Sequence, residues 1–179
     1  MHFSSYDIAL LTWFHDHPVP YSIPVLQFIS NSTTYISIAV VSIILMVALA
    51  RKSKPLRMKF FMLATILIMV SIVSQGLKHF IKRDRPFKTY SFIEKLSTGG
   101  DSSFPSGHTM EAFALAAALS LLFSQKKVVI PVYIWAVGVA YSRIALGVHY
   151  PSDILAGILI GTLIGWGIPW IYKRNRLTG

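Results

Sequence analysis

The stretch Ser102 to Phe123, "SSFPSGHTMEAFALAAALSLLF", begins as a polar loop and ends as almost pure hydrocarbon. Pro105 restricts the backbone and Gly107 frees it, which suits a loop turning into a helix whose first amides have no intrahelical partner. His108 and Glu111 fall in the first turn and a half, and no ionisable residue follows them before Phe123. Titratable groups at the mouth of an apolar helix are costly in a soluble core and useful at a membrane boundary. The rest of the chain decides between the two settings.

Hydrophobic residues make up 54% of the sequence and the mean hydropathy is +0.57, above the roughly one-half apolar share of soluble domains. They are gathered into runs. Segments 33–50 and 60–77 carry no charge, 128–146 carries only Arg143, 153–172 is charged only at Asp153, and 106–123 is the segment quoted above. Runs of this length cross roughly 30 Å of hydrocarbon at about 1.5 Å per residue. The expected fold class is therefore all-α, a polytopic membrane bundle of about five to six transmembrane helices in a single domain over residues 1–179. Residues 33–173 are expected to form the catalytic bundle and residues 1–30 an interfacial and lead-in segment. Phe3, Tyr6, Leu10 and Trp13 recur at helical spacing, with Ser4 and Asp7 suited to a helix start, so an amphipathic helix along the membrane interface is expected there. Tyr21 to Ser30 is too short to span and leads into the first membrane helix. The N-terminus lacks the basic region of a cleaved signal peptide. There is no cysteine, which excludes disulfides and thiolate metal sites.

A net charge of +10 would suit nucleic acid if the cations formed one patch, but they do not. Threading the chain through its spans sorts them onto two faces. One face holds Arg51, Lys52, Lys54, Arg57, Lys59, Lys126, Lys127, Lys173, Arg174 and Arg176, with no acid among them. That is the positive-inside pattern, so this face is expected in the cytoplasm of a multi-pass cell (inner or plasma) membrane protein, N-terminus out and C-terminus in. The opposite face holds every acid, every histidine and the other basic residues. Any chemistry is expected on that extracytoplasmic face, with the bilayer and a membrane lipid as partners and no nucleic acid.

Three clusters occupy it. "KHFIKRDRPF" closes the second span with Lys78, Lys82, Arg83 and Arg85. Cations are depleted from outer loops, so this density points to an anionic ligand, for which Arg offers a planar donor fork and Lys a point charge. "FPSGHTME" supplies Ser106, the Gly107 amide and His108 at a helix N-terminus, a ready anion site. Glu111, three residues on, can tune the histidine or pair with Lys78, Lys82 or Arg83. "SRIALGVHYPSD" places Arg143 in the last turn of an apolar helix, Gly147 at a reversal, then His149, Pro151 and Asp153. An Asp four residues after a histidine can cap a helix or accept the imidazole N–H, and both readings stand at this point.

Together, Lys78 with Arg85-Pro86, then Pro105-Ser106-Gly107-His108, then Ser142-Arg143 with His149 and Asp153, resemble the three-part signature of the type 2 phosphatidic acid phosphatase family: Lys-x6-Arg-Pro, Pro-Ser-Gly-His and Ser-Arg-x5-His-x3-Asp. Each position is matched in order between residues 78 and 153, and residues 1–77 carry no part of it. The resemblance implies a metal-independent, cofactor-free hydrolase acting on phosphate esters or anhydrides through a phosphohistidine. His149 is then the nucleophile, Asp153 its orienting group and His108 the acid for the leaving oxygen. Lys78, Arg85, Arg143, Ser106 and Gly107 hold the phosphate. The implied substrate is a lipid phosphate or diphosphate of the undecaprenyl diphosphate, phosphatidylglycerophosphate, phosphatidic acid or lipid A type. A lipid phosphotransferase would use the same site, whereas a proton-coupled transporter would need charges at mid-span on several helices. Gly157, Gly161 and Gly165, on one face of the last span, serve either close packing within the bundle or dimerisation, and the oligomeric state stays open.

Overall fold

The computed structural model describes residues 5–17 and 23–175. Among these the elements are helical throughout: α1 (Ser5–Asp16), α2 (Ile23–Ala50), α3 (Lys54–Ile81), the single turn α4 (Pro86–Thr89), α5 (Gly107–Phe123), α6 (Lys126–Ala145) and α7 (Pro151–Asn175). Four helical segments are long and apolar enough to cross a membrane: Ile23–Ala50, Lys54–Thr89, Lys126–Ala145 and Pro151–Arg174. α5 is shorter but equally apolar, and all five bundle helices coincide with the segments expected from the sequence. The lead-in expected before the first span is instead, from residue 23 onward, the first two turns of α2.

Local chemistry sets the ends of these helices. Ser53 caps α3, its hydroxyl accepting from the Leu56 amide at 3.4 Å, and Pro55 follows in the first turn. Lys82 closes α3 in the left-handed region at φ 48°, its N–H returning to Lys78 O. Two-residue junctions at Ser124 and Gln125 turn α5 into α6. Pro151 opens α7, as its fixed φ and missing donor favour.

α5 is the axis of the bundle and packs most extensively against α7, then α6. Met110, Ala114, Leu115 and Ala118 meet Leu63, Ile66 and Val70 of α3 on one side. Ala112 and Ala116 meet Ala136, Val139 and Ala140 of α6 on another. Inside a bilayer the hydrophobic effect does not drive helices together, so close approach of small residues must. The α7 glycines supply it: a Cβ on Gly157 would stand 2.9 Å from Ser106 O, while one on Gly161 or Gly165 would collide with the backbone of Met110 or Ala114. This stripe therefore serves packing within the bundle. Large apolar side chains such as Tyr35, Met46, Phe61, Ile134 and Leu163 point outward instead, as lipid-facing positions require.

α1 lies across the end of the bundle against α6 and α7. Tyr6, Leu10 and Trp13 are exposed, and Asp7 and Leu11 are buried against the protein. The expected apolar stripe thus faces away from the bundle, where a membrane interface would cover it. Phe3 and Ser4 lie outside the described residues, as does Arg176.

Candidate active site

The three sequence clusters converge at the end of the bundle that α1 covers. Lys78, in the last turn of α3, reaches the start of α5. A Cβ on Gly107 would stand 3.5 Å from its Nζ and 3.1 Å from Ser74 Oγ, so glycine here keeps the ammonium against the free amides of a helix N-terminus. Ser106 caps α5 without a side-chain cap bond. Its Oγ lies 2.8 Å from Thr109 Oγ1 and its amide donates to Asp153 O at 3.2 Å, which ties α5 to α7 at the site.

Arg85 follows α3 and is held by carbonyls. Its Nε donates to Gly100 O at 2.6 Å and its Nη1 to Val148 O at 2.8 Å. The same Nη1 is 3.3 Å from His149 Nε2. Gly99 makes room for this guanidinium, since a Cβ there would come within 2.9 Å of Cζ. Arg143, buried in α6, donates to Ser30 of α2, to Ser97 Oγ at 3.2 Å and to Thr98 O at 3.1 Å. Its Nε has no protein partner. A buried donor without a partner is costly unless something else accepts from it, and an anion beside His149 would do so.

His149 follows a turn that only glycine fits comfortably. Gly147 has φ +69°, and a Cβ there would press into Ile93 at 2.8 Å. The imidazole is 1% exposed as a residue. Burial holds His149 below the ordinary histidine value, at about 4; Asp153 opposes that shift, while Arg143 and Arg85 add to it. The ring is therefore neutral at physiological pH. Nε2 accepting from Arg85 leaves the proton on Nδ1, which stands 3.5 Å from Asp153 Oδ2 and makes no close hydrogen bond. The two groups are close but not hydrogen-bonded.

Asp153 meets the capping reading of its sequence position and stands near His149 without a close hydrogen bond to it. Oδ2 accepts from the Tyr150 amide at 2.8 Å, capping α7, and also from Ser103 Oγ, while facing His149. His108, in the first turn of α5, lies within electrostatic reach of Arg143, His149, Lys78 and Arg85. The sequence-selected residues Lys78, Arg85, Ser106, Gly107, His108, Arg143, His149 and Asp153 thus share one site. Glu111 is apart from them: it points to α2, accepting from Thr34 Oγ1 at 2.9 Å, where the sequence suggested a basic partner.

Sequence reasoning missed a second layer of contacts. Arg83 Nη1 donates to Asp153 Oδ1 at 2.6 Å and its Nη2 to Asp7 Oδ2 at 2.8 Å. Asp7 also accepts from the Ser152 amide at 2.9 Å and from Ser152 Oγ at 2.6 Å. Ser103 N in turn donates to Arg83 O at 2.7 Å. The only signal for Arg83 was the density of cations around it, and Asp7 read as a helix-start residue. Beside the site, a cleft of about 850 Å³ is bordered by Lys78, His79, Lys82, Lys88 and Gly100. Among the described residues no group of three or more His, Asp or Glu is gathered closely enough to hold a metal.

Residues 59–177 match the sequence profile of the PAP2 superfamily. The lipid A 4'-phosphatase of Porphyromonas gingivalis is 33% identical over 142 residues, 70% of this chain and 58% of the relative. The undecaprenyl-diphosphatase BcrC of Bacillus subtilis is 35% identical over 82 residues, 46% of this chain and 42% of the relative. The chain thus spans less than two thirds of the length of these curated relatives. The crystal structure of a transmembrane PAP2-type phosphatidylglycerolphosphate phosphatase from Bacillus subtilis superposes with a TM-score of 0.80 at 24% identity, covering 97% of this chain and 89% of that one. That likeness concerns the fold.

Proposed function

The chain belongs to the PAP2 superfamily, and from that premise we propose that it is an integral-membrane lipid phosphatase that cleaves a lipid phosphate or diphosphate through a phosphohistidine at His149. The observation that carries this reading is the buried imidazole whose Nε2 lies 3.3 Å from Arg85, in a site that also gathers Lys78, Arg143 and the α5 N-terminus. Phosphoryl transfer needs positioning and stabilisation of charge spread over three oxygens, and three fixed cations supply both.

In the first step the Nε2 lone pair of His149 attacks phosphorus and the bond from phosphorus to the leaving oxygen breaks. His108 gives that oxygen its proton. Asp153 accepts the Nδ1–H of the ring, which has become cationic, closing the open pair. In the second step His108 takes a proton from water, whose oxygen attacks phosphorus, the P–N bond breaks, and inorganic phosphate leaves. The substrate's negative charge is what favours a protonated His108 among the neighbouring cations. Those cations can stabilise the charge on the phosphoryl oxygens that a metal ion stabilises in other enzymes, so the reaction is proposed to run without one.

A lipid substrate is supported by the position of the site at the end of an apolar bundle and by the printed activities of the relatives on lipid A and undecaprenyl diphosphate. The cleft beside the site, bordered by Asp84 and Asp101 as well as by Lys78, Lys82 and Lys88, has room for the rest of a polar headgroup. The acid-free basic turns at the opposite end support an extracytoplasmic site in the cell membrane. Initial rates of the purified protein on undecaprenyl diphosphate, phosphatidylglycerophosphate, phosphatidic acid and lipid A test the reading, with glucose 6-phosphate as a soluble control and each arm repeated in EDTA and in vanadate. The expected outcome is phosphate release from one or more lipids, unaffected by EDTA and blocked by vanadate. No release from any lipid would overturn the proposal, and loss in EDTA restored by magnesium would overturn its metal-free form.

A further inference from the structure

The signature residues account for the phosphate cradle and the nucleophile, but they leave a buried ion network unexplained. Asp7 belongs to α1, upstream of the matched family region at 59–177. It is nevertheless 5% exposed, and its partner Arg83 is 7% exposed. Buried charges are costly unless paired and hydrogen-bonded, and this group is nearly fully satisfied. Arg83 bridges two carboxylates, Asp7 at 2.8 Å and Asp153 at 2.6 Å, and lies over the Tyr150 ring at 3.8 Å from its centroid. Asp7 closes the far side by accepting from both the amide and the hydroxyl of Ser152. Asp153 is the carboxylate that faces His149 Nδ1.

We infer that Asp7 and Arg83 are positioning residues for the reaction at His149, acting through Asp153, so that docking of the N-terminal helix sets the basicity and orientation of the nucleophile. This rests on the phosphohistidine reading above. The electrostatic argument is direct. Left alone, Arg83 would neutralise the Asp153 carboxylate and weaken its hold on the imidazole N–H. Asp7 shares the guanidinium and so returns negative charge to Asp153. The other charged or titratable groups facing His149 are Arg85 after α3, His108 on α5 and Arg143 on α6, with Lys78 on α3 facing His108 beside it. Among these surrounding groups Asp153 is the carboxylate, so what changes its charge changes His149. α1 thereby acts as a clamp: if it lifts from the bundle, Arg83 loses one of its two carboxylates and turns wholly to the other.

The two partners make opposite predictions for one observable, which a merely structural role does not. His149 can be followed by NMR in protein carrying 13C-labelled histidine, assigned with His149→Gln, without reference to turnover. In Asp7→Asn, which keeps the shape and removes the charge, the His149 midpoint is expected to move down from about 4. In Arg83→Gln it is expected to move up. Asp7→Glu is expected to restore the wild-type midpoint at least in part. On a lipid phosphate that the wild type hydrolyses, Asp7→Asn is expected to lower kcat by about tenfold or more with KM nearly unchanged, the scale at which second-layer partners of an active group act. The Asp7→Asn/Arg83→Gln double variant is expected to lose much less than the product of the two single losses. Midpoints that move in the same direction, or stay fixed in both variants, would overturn the inference even if the enzyme is a phosphatase. If no lipid phosphate is hydrolysed, the phosphatase reading falls while the histidine titration still decides whether Asp7 and Arg83 govern His149. Should Arg83→Gln fail to fold, the direction of the Asp7→Asn shift and its recovery in Asp7→Glu decide the question, an upward or absent shift overturning it.

Discussion

The two ends of this bundle carry similar numbers of cations and use them in opposite ways. At the end formed by the α2–α3 and α5–α6 turns, Arg51 and Lys52 sit on a short junction and Lys54, Arg57, Lys126 and Lys127 in the first turns of the helices that follow, all of them exposed. At the other end Arg83, Arg85 and Arg143 are buried, each held by carbonyls, hydroxyls or carboxylates contributed by distant parts of the chain. Exposed charges cost little and need no geometry, so they are free to act as an orientation signal. Buried ones persist only where partners fix them, and fixed cations are what a phosphoryl group needs. The same residue types thus report topology at one end and point to chemistry at the other.

Breaking the contrast where it is strongest means removing the proposed nucleophile. His149→Ala is expected to lower phosphate release on the order of 10⁴-fold or more, because the group that forms the intermediate is gone. Asp153→Asn is expected to follow with a loss on the order of 10²-fold or more, since a neutral amide both releases Arg83 and weakens the hold on His149 Nδ1. Initial rates in detergent, normalised to correctly folded protein, check both. Activity above a tenth of wild type in His149→Ala would make the buried cations structural rather than catalytic.

A pH profile sharpens the site end alone. With His149 held at about 4 by burial and by Arg143 and Arg85, the ring is unprotonated and nucleophilic above that value and loses its lone pair as pH falls through it. kcat/KM, which reports the groups of the free enzyme, is therefore expected to hold its level down to about pH 5 and to fall by about half near pH 4. An acid limb centred near the ordinary histidine value of about 6.5 would mean that His149 is more open to solvent than the structure has it.

Between the ends, packing replaces charge. Gly161→Leu drives a side chain into the Met110 backbone, whereas Gly167, on the same helix, has open space around its missing Cβ. The first substitution is expected to destabilise by about 1–3 kcal/mol or more, and Gly167→Leu by less than about 0.5 kcal/mol. Thermal unfolding in one detergent compares them. Smallest of all on turnover is Lys126→Gln with Lys127→Gln, expected to change kcat less than about twofold at these exposed positions. The same pair is expected to weaken the orientation bias, read by labelling single cysteines at positions 54 and 98 in intact cells. Protection at 54 with labelling at 98 is the expected wild-type pattern, and the reverse would put the site on the cytoplasmic side.

How legible each part was follows from the range of its interactions. The five bundle helices were legible because an apolar run is a local signal, and most bounds moved by a few residues where caps such as Ser53 and Pro151 set the ends, whereas α2 begins ten residues before the expected span. The residues that converge at the candidate site were legible through the three motifs, each of which lies within one short stretch. What holds them was not. Arg143 depends on Ser30 and Thr98, Arg85 on Gly100 and Val148, and Arg83 on Asp7, partners remote in sequence with no composition signal of their own. The carbonyls of Thr98 and Gly100, which carry no side-chain signal, accept from Arg143 and Arg85. Glu111 misled because its partner, Thr34 on α2, is remote in sequence and carries no charge to mark it.

The central claim is that His149 forms a covalent bond to phosphorus, and the most direct measurement is rapid-quench trapping with a radiolabelled lipid phosphate followed by peptide mapping. The account expects an acid-labile, base-stable label on the peptide containing His149, formed within one turnover, absent in His149→Ala and discharged when the wild type is left to react with water. Efficient wild-type turnover with no such label at any quench time, or a label on a different residue that survives in His149→Ala, would contradict it.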